Sequence, residues 1–125
     1  MQYMEVTNKS VQEIIDSLKE VTPRYKYGIQ HIHNVQETLK SKGIDLGNEC
    51  QIVDICNPIV AQKFLSEDMS LSIIMPCKIS VYTLDGETMI AMNSLVQLVD
   101  DINPDLVELA QEVQEQLLEI IDEVK

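Results

Sequence analysis

Tryptophan is absent from this sequence, phenylalanine occurs once and tyrosine four times. A core of stacked rings is therefore excluded, and burial must rest on Ile, Val, Leu and Met. Basic residues are scarce as well: nine Lys and Arg stand against 21 Asp and Glu, for a formal net charge of −12. The shortage is uneven. Residues 1–49 hold six basic and seven acidic side chains, and residues 50–125 hold three and fourteen. Nucleic acid and anionic lipid bind by having their phosphates neutralised, so the second half repels both. No basic arm or stripe supplies a phosphate footprint.

Other absences narrow the class further. No stretch approaches the roughly 18 consecutive apolar residues of a membrane span. The start, Met1-Gln2-Tyr3-Met4-Glu5, lacks the basic region and apolar run of a secretory leader. Cysteine occurs three times, at 50, 56 and 77, an odd number at irregular spacing. That makes a poor disulfide framework and suits a reducing cytoplasm. G-x-S-x-G, H-E-x-x-H and phosphate-loop patterns are missing, and no nucleophile–base pair stands out. What remains is 125 residues, 45% hydrophobic, which fits one domain over residues 1–125.

The local signals read in order. Residues 2–7 favour a short strand. Ser10 and Glu13 form a capping box ahead of Val11, Ile14, Ile15 and Leu18 at helical spacing, and Thr22-Pro23 ends that helix. Residues 25–33 alternate as a strand that sets Tyr25, Tyr27, Ile29, His31 and His33 on one face. Asn34 and Glu37 open a short helix that ends near Gly43. Residues 50–56 read as a strand, with Asp54 expected on its less buried side. Asn57 caps the next helix, and Pro58 takes its first position. Residues 71–83 are β-prone with an interruption at Pro76, Asp85-Gly86 signals a hairpin, and 87–92 pair back. A helical turn is expected over 94–100 with Ser94 as its cap, and Asp100-Asp101 as loop residues. Asn103-Pro104 starts a long helix whose apolar stripe includes Leu106, Ala110, Val113, Leu117, Ile120 and Val124. Its opposite side is acidic, unlike the basic polar face of a membrane-surface helix. The order β-α-β-α-β-α-β-β-α predicts a two-layer α+β domain with a curved, mostly antiparallel sheet and helices on one face, though its early alternation leaves a parallel pairing open.

Two turns carry a resemblance. Ile55-Cys56-Asn57-Pro58, a helix with Ala61 and Phe64-Leu65, and then Ile74-Met75-Pro76-Cys77 before a strand together resemble the family called domain of unknown function 302. That family opens a helix with a C-N-P turn and a hairpin with an L-L-P-C turn. Tyr27-Gly28-Ile29 and Val35-Gln36-Glu37-Thr38-Leu39-Lys40 are similar to its upstream strand and V-Q-x-T-L-K helix. The likeness runs from about residue 10 onward. It implies a fold of the TATA-box-binding-protein class without DNA binding, no established activity, and a homodimer. One departure is His31-Ile32-His33-Asn34, where the family carries a Thr-Glu-Ile-Asp type of stretch. A carboxylate pair there is lost.

Candidate chemistry gathers at those turns. Cys56 precedes a helix N-terminus, whose dipole and free N–H groups favour a thiolate. Cys77 follows Pro76 at the start of a strand. If the strands are neighbours, the two thiols can form a reversible disulfide, carry sulfur or contribute to a metal site. The alternative is that both are small buried hydrophobes at tight turns. His31 and His33 on one strand face form a candidate metal pair, with a cysteine as a soft third ligand. Cys50 matches no motif and reads as structural. The sequence thus points to a small cytoplasmic oligomer that binds a small molecule or partner through Cys56, Asn57, Pro76 and Cys77, and leans away from an enzyme. The other reading is a thiol-redox, sulfur-handling or metal-binding protein at the same cysteines. No cofactor is implied.

Overall fold

In the computed structural model, which describes residues 2–125, a five-stranded sheet is covered by helices on one face. The strands are β1 (Gln2–Thr7), β2 (Gly28–Asn34), β3 (Cys50–Cys56), β4 (Cys77–Leu84) and β5 (Glu87–Asn93). The helices are α1 (Val11–Val21), α2 (Val35–Ser41), α3 (Pro58–Glu67), α4 (Leu95–Ile102) and α5 (Val107–Val124). Strand order is β1-β5-β4-β3-β2, and every neighbouring pair is antiparallel. The parallel pairing left open by the sequence does not occur. β1 and β2 form the two edges, and α1 passes beneath the sheet between them.

Alternation decides which side chains face the helices. Val53 and Ile55 of β3, Ile79 and Val81 of β4, and Ile90 and Met92 of β5 point inward and are buried. Val11, Ile14, Ile15, Leu18 and Val21 of α1 meet them, as do Ala110, Val113, Leu117, Ile120, Ile121 and Val124 of α5. The capping box at Ser10 and Glu13 is formed in both directions, so two orphan N–H groups of α1 are satisfied. Asp85 and Gly86 both have positive φ, at 51° and 81°, as the tight β4–β5 hairpin requires.

Five sequence expectations change. Residues 69–74 are a 3-10 helix rather than strand. Asp68 caps it by accepting the Ser70 N–H, and Leu71 plugs the core, so local capping and burial override the β-prone Ile73-Ile74. Residues 22–25 form another 3-10 turn, and β2 starts only at Gly28. A bulge at Gln30 lies between the pairs Ile29–Ile55 and His31–Asp54. It moves His31 and His33 to the face opposite Ile29, against the expected alternation. Asp100 and Asp101 lie in the last turn of α4, because Leu95 and Val99 bury that helix's inner side. Asn103-Pro104 opens a 3-10 turn over Pro104–Leu106, which leads into α5.

Gln114 is a buried polar residue in the middle of α5. Its side-chain oxygen accepts from Ser94 Oγ at 3.0 Å and from the Val96 N–H at 3.1 Å, and its Nε2 donates to Tyr3 Oη at 3.0 Å. The amide thereby ties α5 to α4 and β1, its burial offset by three hydrogen bonds.

Candidate functional site

Ile55 pairs with Cys77 across the β3–β4 ladder, so Cys56 and Cys77 come together at one end of the sheet. α3 leaves that end from Asn57, and the 3-10 helix Met69–Ile74 returns to it. Between them lies a notch with about 30 Å³ of free interior. Cys56, Cys77, Met75, Pro76, Phe64 and Tyr27 are among its walls, with Ala61 and Val99 also in the apolar lining. A space of that size holds one or two water-sized groups. A wider, shallower groove of about 260 Å³ shares Ile74–Cys77 as a wall and continues past Leu98 and Leu117. The Met75–Pro76 peptide between the two spaces is cis.

The four residues singled out at the turns thus meet at one place. Their chemistry differs from the expected thiolate. Asn57 Oδ1 accepts the N–H groups of Ile59 at 3.0 Å and Val60 at 3.3 Å, and Pro58 has none to give. The helix start that was to stabilise a Cys56 thiolate is therefore already capped. Burial raises the Cys56 thiol above its ordinary value. Burial, with a smaller contribution from Cys56, pushes Cys77 up to about 11. Both sulfurs hold their protons at neutral pH, and all three cysteines are free. Tyr27 is also shifted upward, by burial first and then by the two nearby sulfurs, and its hydroxyl donates to Gln116 Oε1 at 2.8 Å.

His31 and His33 lie on the open face of the sheet, away from this notch. Their ring centroids are 4.3 Å apart in an edge-on arrangement. His33 Nε2 is 2.8 Å from Asp54 Oδ2, and Lys78 Nζ donates to Asp54 Oδ1 at 2.7 Å. Asp54 faces the open side as expected, yet His33 and Lys78 cover it to 8% exposure. Burial acts to raise its pKa, but the hydrogen bonds from Lys78 and His33 outweigh that and hold the carboxylate below its usual range. Neither notch cysteine joins the histidines. Among the described residues, no three of His, Cys, Asp and Glu are grouped so as to hold a metal ion.

Met75, a third sulfur-bearing residue in the lining of the notch, was not singled out in the sequence, although its position in the Met-Pro-Cys turn was visible. The Asp54–Lys78–His33 cluster also escaped notice, because it depends on the bulge and on strand register. No described helix is long and apolar enough to cross a membrane.

No curated protein matches the chain. A crystal structure of an uncharacterised conserved protein DUF302 from Bacillus stearothermophilus is similar at a TM-score of 0.94 and 30% identity, covering 99% of this chain and 98% of that one. The model of the family described as "Domain of unknown function DUF302" matches residues 2–124. The sequence profile and the fold agree, and the chain belongs to the DUF302 family.

Proposed function

We propose that this protein is a small cytoplasmic homo-oligomer that binds a small ligand in the notch between Cys56 and Cys77. The observation carrying this reading is the notch itself: an apolar recess with two thiols, built from both motif turns and roofed by α3. Apolar recesses with few, converging polar groups are the usual form of small-ligand sites. The recess has no nucleophile next to a base, which favours binding over turnover.

The open sheet face supports the oligomer. Met4, Val6, Ile52, Tyr82, Met89 and Ala91 share it by register, and Met4 and Val6 are about half exposed. The acids of α5 lie on the opposite layer, exposed to solvent. On the open face, Asp54 is paired with Lys78. A second copy of this strongly acidic chain meets the least repulsion there.

A fragment titration followed by amide NMR tests the notch. Small uncharged fragments of about two or three heavy atoms are expected to shift resonances of Tyr27, Phe64 and Cys77, and Ala61→Phe, which fills the recess, is expected to abolish those shifts. Fragment shifts scattered over the surface, or unaffected by Ala61→Phe, would discard the site. Steady catalytic turnover that a single substitution removes would discard the binding role. Sedimentation of the Val6→Glu/Met89→Glu double variant tests the assembly. A dimer that persists unchanged would place its interface elsewhere.

A further inference from the structure

The side-chain donors around the notch are of one kind. Of its 15 wall residues, three carry sulfur: Cys56, Met75 and Cys77. Only two carry side-chain oxygen or nitrogen, and both are engaged elsewhere. Tyr27 Oη donates to Gln116, and Asn57 Oδ1 accepts two backbone N–H groups of α3. No carboxylate or imidazole reaches the recess.

That donor set discriminates strongly among ligands. Calcium and magnesium need several oxygens and are excluded. Structural zinc sites close with four protein ligands, and here three are available; catalytic sites take three with a water as the fourth, most often with imidazole among them, and no imidazole lines this recess. Thiolate and thioether sulfur together select copper(I), a soft ion. The free interior of about 30 Å³ admits a bare ion and leaves no room for a hydration shell. We propose that the notch is a copper(I) site, with the sulfurs of Cys56, Cys77 and Met75 as its ligands.

This assignment rests on the reading of the notch as the binding site and names what it holds. Binding is an exchange of a proton for the metal at each coordinating thiol: the S–H bond breaks, the S–Cu bond forms and the proton leaves to solvent. No electron is transferred. Affinity therefore rises with pH, because each coordinating thiol gives up its proton on binding. Cys50 stands at the far end of β3, paired with Tyr82 on the open face, and takes no part.

The test is an anaerobic competition between the reduced full-length chain and a coloured copper(I) chelator. One equivalent of copper is expected to be withheld from the chelator. Cys56→Ser and Cys77→Ser should each weaken retention by roughly 100-fold, and Met75→Leu by about tenfold. Cys50→Ser should leave retention unchanged. Thermal unfolding of each variant identifies any that fails to fold, and Met75→Leu, which keeps the side chain apolar, serves as the conservative check. No retained copper, retention that follows Cys50, or zinc held equally tightly would overturn the assignment. The fragment titration separates the two ideas. Fragments that bind without copper retention remove the metal and keep the site, whereas copper held at Cys50 with no fragment binding removes both.

Discussion

α1 and α3 are nearly equal in length, with 11 and 10 residues, and both begin at a side-chain cap. Their attachment differs greatly. α1 buries five residues against the sheet and α5, whereas α3 buries Phe64 alone. Capping chemistry decides where a helix starts, and tertiary burial decides how firmly it is held. α1 is thus part of the scaffold. α3 is a cover over the notch, secured at its start by Asn57 and at its end by the Asn103 Nδ2 donation to Asp68 Oδ2 at 3.1 Å. A site that must admit something benefits from a roof of lower local stability.

The contrast can be broken most strongly at its firm side. Ile14→Ala should cost about 3 kcal/mol of global stability, seen as a lower denaturant midpoint, because Ile14 is fully buried. An effect under about 1 kcal/mol would mean that the α1 layer is not the scaffold. Phe64→Ala comes next. Its effect should fall mainly on α3, with amide exchange there accelerating well before the sheet is affected. Equal acceleration in α1 would erase the distinction. Asn57→Ala removes an acceptor of two N–H groups and should cost about 1 kcal/mol, read as faster exchange at Ile59 and Val60.

The smallest expected effects concern pH. Asp54 is held below its ordinary pKa, so its contribution is complete above the unfolded value and is lost as pH falls through the folded one. Lys78→Met should flatten that acid limb by about 1 kcal/mol or less, since Lys78 is half exposed. Asp68 is also lowered, chiefly by Ser70 and Asn103. Acid should therefore loosen the end of α3 before α1, an order that exchange measurements at falling pH can check.

The sequence displayed most of the local chemistry. Ser10, Asn34, Asn57 and Ser94 all cap helices as their neighbours suggested, because each cap depends on residues within three positions. The two cysteine turns were visible for the same reason. The parts that escaped depend on distant partners. Leu71 enters the core only once α3 has turned back, which is why Met69–Ile74 is not a strand. Gln114 reads as polar surface until Tyr3 and Ser94 arrive. The proton on Cys77 depends on burial that no spacing reveals.

The bulge at Gln30 has a consequence for how this chain tolerates change. One extra residue acts on a strand as a shifted reading frame acts on a message: everything beyond it is read on the other face. Deleting Gln30 would remove the bulge and leave Ile29, His31, Ile32 and His33 alternating on the faces they already hold. Along β2, therefore, the bulge is the place where a loss of length is absorbed, whereas a deletion beyond it would turn the residues that follow to the wrong face.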